Sequence, residues 1–259
     1  MLSLMDLREL NWLLKEKYNL IDAVDQPHLW PAEVAEDLKR LSQGEPLAYV
    51  IGFVPFLGSR IDLRFRPLVP RSETEYWVQV LLKQAAFHKK TVKALDLFTG
   101  SGCVGLSLLR HWPEAQVDFA DNNLSCLEQV EYNLALNKIN SRRARLIHSD
   151  LFEGIQDKYD LILANPPYIS PSRLEQLPRS VRDYEPKEAL IAGEGGLALI
   201  RRFLDQVSDH LNPRGQFWLE FDPAQKESIK SLICRSFQAD FGRDQYGLWR
   251  FVVGHFNFD

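Results

Sequence analysis

Apolar residues along the chain repeat at two spacings, and each spacing predicts a different kind of element. Over residues 4–18 leucines and a tyrosine recur at helical spacing, and Pro31 opens a second amphipathic stretch that runs to 41. Over 50–65 apolar residues flank a proline and a glycine in the pattern of a β-hairpin. We therefore expect a small helical lobe followed by a hairpin.

Beyond residue 76 the pattern changes to short apolar runs that alternate with longer amphipathic segments. The short runs predict strands near 92–98, 116–121, 144–149, 159–164, 215–221, 236–241 and 248–254. The longer segments predict helices near 73–87, 103–112, 124–137, 195–211 and 223–233. This alternation is typical of a mostly parallel sheet with helices on both faces, and the short turn GRDQYG predicts that the last two strands pair antiparallel.

Composition and charge narrow the classes of protein that fit this pattern. The net charge of -4 argues against affinity built on neutralising many phosphates, and 45% hydrophobic residues allow a full core. The three cysteines lack a Cys-x-x-Cys pair and the six histidines lack metal-type pairing, so we expect a reducing compartment and no metal site. The chain has no long apolar run and no basic leader, so we expect a cytoplasmic protein without a membrane partner. We also expect a monomer.

A glycine-rich loop follows the first strand of the sheet. In ALDLFTGSGCVG the glycines Gly100, Gly102 and Gly105 match G-x-G-x-x-G, which lets a ligand approach bare backbone at a helix start. Asp121 ends the next strand, where its carboxylate can accept hydrogen bonds from both hydroxyls of a ribose. The same spacing fits a dinucleotide, so NAD stays an alternative, and capping of the helix near Leu124 is the other role open to Asp121.

Further residues near this loop are candidates for the same ligand. Asp96 precedes the glycines and can either orient the loop or face the cationic end of a sulfonium ligand. Asp150 and Leu151 follow the third strand, where an adenine ring can rest. Cys103 has no histidine near it in sequence, so we interpret it as a packing residue rather than a nucleophile.

The fourth strand ends abruptly in NPPY. Pro166 and Pro167 fix two backbone φ angles and remove two N–H donors, which leaves a stiff row of carbonyl acceptors. The Asn165 side-chain oxygen and the Pro166 carbonyl can then accept both hydrogens of a planar NH2 group, while Tyr168 offers an aromatic face. Accepting both hydrogens localises the nitrogen lone pair for attack on a methyl group without a general base. A simple turn is the alternative interpretation.

Six segments together resemble the glutamine methyltransferases of peptide-chain release factors. They are GEPLAYVIGFVPFLG, VPRSETE, LDLFTGSG, NPPYIS, VRDYEPKEAL and AGEGGLALI. NPPY alone is shared with methyltransferases of DNA adenine and RNA guanine, whereas PRSETE and VRDYEP are more specific. The resemblance implies a class I, Rossmann-like methyltransferase fold, α/β with a seven-stranded, mostly parallel sheet and an antiparallel last strand. It also implies S-adenosylmethionine as cofactor and a release factor as protein partner, methylated on the Gln of its Gly-Gly-Gln tripeptide.

The resemblance and the strand-end positions together assign the site residues. The expected cofactor residues are Asp96, Thr99, Gly100, Ser101, Gly102, Asp121, Asp150, Leu151 and Asn165. The expected residues at the substrate amide are Asn165, Pro166, Pro167 and Tyr168, with Arg71, Thr74 and Glu75 along the approach. Asn165, Pro166 and Tyr168 are the catalytic candidates. From the residues alone, the charges of the approach fit an exposed helix start with a capping pattern equally well.

The resemblance also divides the chain into three expected parts. Residues 1–48 form a substrate-docking helical lobe, 49–75 form the hairpin and connector, and 76–259 form the methyltransferase domain. The region before Gly44 is short for the helical domain with which this family engages a release factor. A ribosomal-protein glutamine, or an exocyclic amine of DNA or RNA, therefore stays open as the substrate. An NAD-dependent oxidoreductase is a further alternative, but it leaves the proline loop unexplained.

Three positions depart from the family pattern. Phe98 stands where the family usually has the first glycine of its loop. Ser72 replaces the second proline of PRPET, which should loosen that turn. Glu220 is followed by Phe-Asp, where the family commonly has a glycine.

Overall fold

The computed structural model describes residues 7–84, 91–235 and 237–256. The predicted positions 4–6, 85–87 and 236 lie outside the described residues. The described helices are α1 Leu7–Tyr18, α2 Glu33–Ser42, α3 Leu47–Ile51, α4 Ser72–Leu82, α5 Cys103–His111, α6 Leu124–Leu136, α7 Arg179–Arg182, α8 Gly193–Gly196, α9 Ala198–Gln206 and α10 Lys226–Leu232. The described strands are β1 Phe53–Phe56, β2 Ser59–Asp62, β3 Lys93–Leu97, β4 Gln116–Asp121, β5 Ala144–His148, β6 Tyr159–Ala164, β7 Leu211–Glu220, β8 Phe237–Arg243 and β9 Trp249–Phe256.

Helices α1 and α2 are the two amphipathic helices predicted near the N-terminus. Leu10 and Leu14 of α1 pack with Val34 of α2 in a small apolar core. The pattern did not predict α3, a short helix that follows a proline and ends at Gly52, whose φ of 95° is left-handed. Leu13 joins α3 to α1, and the chain passes directly from α3 into the hairpin.

The predicted hairpin is present as β1 and β2, which pair antiparallel. Its two-residue turn consists of Leu57 and Gly58, with φ values of 43° and 78°. Positive φ at both turn residues matches the twist of the flanking strands, so the turn closes the hairpin without splaying it.

The large sheet has the strand order β5-β4-β3-β6-β7-β9-β8. Neighbours from β5 to β7 pair parallel, and β9 pairs antiparallel with both β7 and β8. The prediction of a mostly parallel sheet in which the last strand of the chain runs antiparallel is thus confirmed, and β9 is that strand. The order reverses between β3 and β6, and in such sheets the loops beyond the carboxyl ends of these strands open a crevice.

Successive residues of the central strands face two apolar cores on opposite sides of the sheet. In β3, Ala94 packs with the core beneath α4, α5 and α6, whereas Leu95 packs with the core beneath α9 and α10. Burial on both faces explains why the central strands β3 and β6 consist mostly of apolar residues. Across the described ranges, no helix combines the length and apolar character that crossing a membrane requires.

Two predicted helices are broken in the structure. Within the segment predicted over 195–211, α9 covers only Ala198–Gln206. The left-handed residues Glu194 and Gly195 lie within the preceding turn α8, and Val207–His210 continues as a 3-10 turn. The segment predicted over 223–233 likewise begins as a 3-10 turn that Asp222 caps before α10.

Candidate active site

A cleft opens at the carboxyl ends of β3, β4 and β6. Counting its open mouth, the cleft encloses about 1040 Å³. The predicted site residues that line it are Arg71, Thr74, Asp96, Thr99, Gly100, Ser101, Asp121, Asp150, Leu151, Asn165 and Pro167. The structure therefore brings the glycine loop, the end of β4 and the proline loop to one edge of the sheet.

Four predicted residues contact other parts of the molecule instead of lining this cleft. Glu75 Oε1 accepts a 2.7 Å hydrogen bond from the Leu57 amide in the hairpin turn. The carboxylate of Glu75 thus holds the hairpin turn, and its place at the substrate approach stays a prediction. Gly102 caps the start of α5 with a φ of 79°, and Pro166 is buried. Tyr168 is half-buried, and its hydroxyl is bound beneath the loop, as described below.

The glycine loop turns through three left-handed residues, Phe98, Gly100 and Gly102, with φ values of 60°, 53° and 79°. Phe98 carries a side chain in a conformation that favours glycine, which costs on the order of 1 kcal/mol, and its ring packs against the α9 and α10 core. Gly105 is glycine for a different reason, because a Cβ at this position would lie 2.3 Å from Phe119 Cε1. The G-x-G-x-x-G match therefore reflects both the turns of the loop and the close packing of α5.

Asp96 is a buried carboxylate that fastens this loop. Its Oδ2 accepts hydrogen bonds of 2.7 Å from Thr99 Oγ1 and 2.9 Å from the Gly105 amide. Burial raises the pKa of Asp96 to about 7; these two hydrogen bonds oppose the rise and the charge of Asp121 adds to it. Since Asp96 also lines the cleft, it can both orient the loop and present a carboxylate to a ligand.

Asp121 ends β4 with each carboxylate oxygen bound by one backbone amide. Oδ2 accepts 2.9 Å from Gly100, and Oδ1 accepts 2.9 Å from Asn123. The N-cap of α6 is Asn123, whose side chain accepts from the Ser125 amide, so capping is not the role of Asp121. Burial raises the pKa of Asp121, and the two amide hydrogen bonds oppose that rise. Each oxygen keeps lone-pair capacity for a ligand hydroxyl.

The loop after β5 provides an apolar surface next to Asp121. Leu151 is buried and has a left-handed φ of 55°, and its carbonyl accepts a 2.8 Å hydrogen bond from Ser149 Oγ. Asp150 forms an ion pair with Arg202 at 3.1 Å, so its carboxylate is partly committed to a protein contact. A planar ring can rest on Leu151 while Asp121 holds an attached ribose.

The charge of the cleft distinguishes between the two cofactors considered for the glycine loop. The described lining contains the carboxylates of Asp96, Asp121, Asp150 and Glu188 and a single guanidinium, that of Arg71. Such a surface attracts a cation and repels a pyrophosphate. The residues present therefore fit S-adenosylmethionine, which joins an adenosine to a cationic sulfur, better than they fit NAD.

Asn165 and the prolines follow β6 directly. Asn165 Nδ2 donates a 3.3 Å hydrogen bond to Thr74 Oγ1 on α4. Thr74 in turn donates 2.6 Å to Glu220 Oε2, and Tyr168 donates 3.1 Å from its hydroxyl to Glu220 Oε1. Among the described residues no backbone amide donates to the Pro166 carbonyl, which agrees with a loop that presents free acceptors.

The back of the proline loop is held by two segments, the 3-10 turn before α10 and the broken segment before α9. Gln225 Nε2 donates 2.9 Å to the Tyr168 carbonyl, and a Cβ on Gly196 would lie 2.1 Å from that same oxygen. Ile169 exchanges backbone hydrogen bonds with Leu190 and Ala192 on the returning chain. These contacts explain the AGEGG segment: the close approach excludes a side chain at Gly196.

The two segments PRSETE and VRDYEP meet through an ion pair. Arg71 Nη2 donates 2.7 Å to Glu185 Oε1, and the Val69 amide donates 3.1 Å to Glu185 Oε2. Glu185 is buried, and the residues that follow it, Pro186 and Glu188, line the cleft. Sequence reasoning assigned no site role to Glu185, Pro186 or Glu188, although VRDYEP had marked this stretch as distinctive.

Comparisons with known proteins agree with this architecture. A family model described as the methyltransferase small domain matches residues 73–177, which hold the glycine loop, Asp121 and the proline loop. The release factor glutamine methyltransferase of Lactococcus lactis subsp. lactis is 32% identical over 253 residues, covering 94% of this chain and 89% of the relative. The release factor glutamine methyltransferase of Rhodopirellula baltica is 35% identical over 225 residues, covering 85% and 74%.

A solved structure shares the fold at lower identity. The crystal structure of a methyltransferase from Pyrococcus furiosus matches with a TM-score of 0.57 and 18% identity, covering 86% of this chain and 98% of that chain. This likeness shows the class I methyltransferase fold, while the relatives above 30% identity extend over most of the chain. The protein therefore belongs to the release factor glutamine methyltransferase family.

Proposed function

We propose that the protein transfers a methyl group from S-adenosylmethionine to the side-chain amide nitrogen of the Gln in the Gly-Gly-Gln tripeptide of a peptide-chain release factor. The observation that supports this proposal is that Asn165 and Pro167 of the proline loop line the same cleft as the carboxylates. Family membership supports the class of substrate, because the curated relatives bear that name.

Each group of residues has a defined part in this reaction. Asp121 accepts the ribose hydroxyls, Leu151 supports the adenine, and Asp96 faces the cationic end of the cofactor. When bound, S-adenosylmethionine supplies an electrophilic methyl group on a positively charged sulfur. Asn165 Oδ1 and the Pro166 carbonyl accept the two N–H hydrogens of the substrate amide, which localises the nitrogen lone pair and orients it for attack. No side chain needs to remove a proton before the attack. The methylated nitrogen would afterwards lose one of its two hydrogens to water, and S-adenosylhomocysteine would leave as a neutral thioether.

We also propose how the substrate reaches this site. The lobe of residues 1–48 contacts the release factor, and the tripeptide enters along the wall of the cleft that contains Arg71, whose guanidinium is held by Glu185. The net charge of -4 favours a protein substrate over nucleic acid. We expect the enzyme to act as a monomer in the cytoplasm.

The test is methyl transfer from labelled S-adenosylmethionine to purified release factor. Matched substrates are the same release factor with the tripeptide Gln replaced by Glu, a total ribosomal-protein fraction, and a mixture of DNA and RNA. We expect label only on the release factor that retains the Gln. Label on nucleic acid or on a ribosomal protein, with none on the release factor, contradicts the proposal.

A further inference from the structure

Glu220 is a buried carboxylate that does not line the cleft but lies one hydrogen bond behind it. It ends β7 in the apolar stretch FWLEF, and only 1% of its surface is exposed. Its Oε2 accepts 2.6 Å from Thr74 Oγ1 and 2.7 Å from Trp77 Nε1, both on α4. Its Oε1 accepts 3.1 Å from the Tyr168 hydroxyl. Three donors therefore converge on one carboxylate at the base of the proline loop.

The hydrogen bond from Thr74 to Glu220 determines the direction of the hydrogen bond between Asn165 and Thr74. A threonine hydroxyl has a single hydrogen, and in Thr74 that hydrogen is directed at Glu220. Toward Asn165 the Thr74 oxygen can therefore only accept, so the atom of Asn165 that faces it at 3.3 Å must be the nitrogen. The oxygen of the same amide is then the end that remains for the substrate.

We propose that Glu220, acting through Thr74, is a positioning residue that sets which end of the Asn165 amide faces the substrate. This inference rests on the proposed function, because it concerns the acceptor that the substrate NH2 group requires. Without the relay of hydrogen bonds that links Glu220 to Thr74 and Thr74 to Asn165, the Asn165 amide can turn by 180° and present its own NH2 group. The donors of Asn165 then face the donors of the substrate NH2 group. The carboxylate thus selects the acceptor end of Asn165 without touching the substrate.

Trp77 provides an internal control within the same network. Its indole donates to the same Glu220 oxygen as Thr74 does, yet it makes no hydrogen bond to Asn165. Losing either donor weakens the solvation of the carboxylate, but only loss of the Thr74 hydroxyl breaks the path to Asn165. A role in stability alone and a role in positioning therefore predict different results for Thr74→Val and Trp77→Phe.

The experiment measures kcat and KM for methyl transfer to release factor in the full-length enzyme, together with S-adenosylhomocysteine binding and melting temperature. Thr74→Val keeps the shape of the side chain and removes the hydroxyl. We expect kcat to fall by roughly 10-fold or more, the scale associated with one unpaired buried polar group, while S-adenosylhomocysteine binding is unchanged. Thr74→Ser, which keeps the hydroxyl, should restore kcat to within about threefold of the wild type.

Trp77→Phe should lower the melting temperature while kcat per folded enzyme, counted by bound S-adenosylhomocysteine, stays within about threefold of the wild type. The inference is overturned if Thr74→Val retains wild-type kcat, if Thr74→Ser falls as far as Thr74→Val, or if Trp77→Phe lowers kcat as much as Thr74→Val does.

A second measurement separates this inference from the proposed function. The side-chain NH2 signal of Asn165, identified by its loss in Asn165→Ala, is followed by 15N NMR in the free enzyme. We expect faster hydrogen exchange of that group in Thr74→Val than in the wild type or Thr74→Ser. Equal exchange in all three overturns the relay even if release factor is methylated. Conversely, suppose that the wild-type enzyme leaves release factor unlabelled while exchange is still faster in Thr74→Val than in the wild type. That result refutes only the proposed substrate.

Discussion

An asparagine amide has an acceptor end and a donor end of nearly the same shape, so its chemical use depends on which end is fixed. In Asn165 the donor end is held by Thr74 at 3.3 Å. The two prolines that follow remove competing N–H groups from the loop. The residue is therefore presented as an acceptor, which suits a substrate whose reacting nitrogen carries two hydrogens.

Replacing Asn165 with alanine should separate binding from catalysis. We expect Asn165→Ala to keep cofactor binding within about threefold, because Asp121 and the glycine loop are untouched, and to lose roughly 100-fold in turnover, as for one preorganised polar contact. Calorimetry with S-adenosylhomocysteine and single-turnover methyl transfer measure the two effects. Turnover close to that of the wild type would contradict the amide clamp.

The raised pKa of Asp96 makes a prediction about the charge of the ligand. Because its pKa is about 7, Asp96 is mostly neutral near pH 6 and mostly ionised near pH 8. Ionisation attracts a cationic sulfonium but not a neutral thioether, so S-adenosylmethionine should gain roughly tenfold over S-adenosylhomocysteine as the pH rises through 7. The ratio of the two dissociation constants measures this. In Asp96→Asn the ratio should not vary with pH over this range; an unchanged dependence would assign it to another group.

Helix α6 joins the hairpin and the residues after it to the domain, because side-chain amides along the helix bind their backbone as a neighbouring strand would. These amides belong to Gln129, Asn133 and Asn137, which are spaced four residues apart. Asn133 Oδ1 accepts 2.9 Å from the Asp62 amide, and its Nδ2 donates to the carbonyls of Asp62 at 3.2 Å and Ser101 at 2.9 Å. One side chain therefore connects the hairpin edge with the glycine loop.

Asn133→Ala should consequently destabilise the protein more than Asn137→Ala, which removes the amide at the C-terminal end of α6. Asn133 is fully buried, so its loss leaves three backbone groups unpaired, and we expect the free energy of unfolding to fall by about 3 kcal/mol. Asn137 makes similar bonds to Arg60 in a more exposed position, and Asn137→Ala should cost about 1 kcal/mol. Urea unfolding of both variants measures the difference. Equal costs would show that the amide contacts to Asp62 and Ser101 add little.

The same elements show what the sequence could predict. Strand β6 was predicted over 159–164 and found at Tyr159–Ala164, because burial on both faces leaves apolar residues at every position of this segment except Asp160. The break before α9 depends instead on the close approach of Gly196 to the Tyr168 carbonyl, a contact that joins distant parts of the chain. Short-range periodicity cannot encode such a contact. For the same reason the pattern placed Glu220 in a strand but gave no sign of its donors on α4.

At the scale of the whole molecule, the helical lobe is joined to the connector by a charge cluster. Glu45 accepts 2.8 Å hydrogen bonds from Nε and Nη2 of Arg40 on α2, and a 2.5 Å bond from Nη2 of Arg66. Tyr49 then donates 2.6 Å to the Pro67 carbonyl. The connector runs from there to Arg71 in the cleft, so the cluster couples the lobe to the approach of the active site.

This cluster predicts a pH-dependent stability. The hydrogen bond from Arg40 is the largest influence and lowers the pKa of Glu45 below its usual 4.5; burial opposes the shift and Arg66 adds to it. A lowered pKa means that the stabilisation is complete above about pH 4.5 and is lost as the pH falls through the lower folded value. Glu45→Gln should therefore cost about 1 kcal/mol at pH 7, allowing for solvent around the arginines, and progressively less below pH 4.

Denaturant unfolding of Glu45→Gln and wild type between pH 3 and 7 measures this dependence. Glu36→Gln serves as the matched control, because Glu36 is 66% exposed and pairs with Lys39 at 3.7 Å, a contact worth less than about 0.5 kcal/mol. If the cost of Glu45→Gln is the same at pH 3 as at pH 7, the carboxylate charge does not hold the lobe. The attachment must then rest on the apolar contacts of α3, which do not titrate, and the stability of the lobe's attachment would be independent of pH.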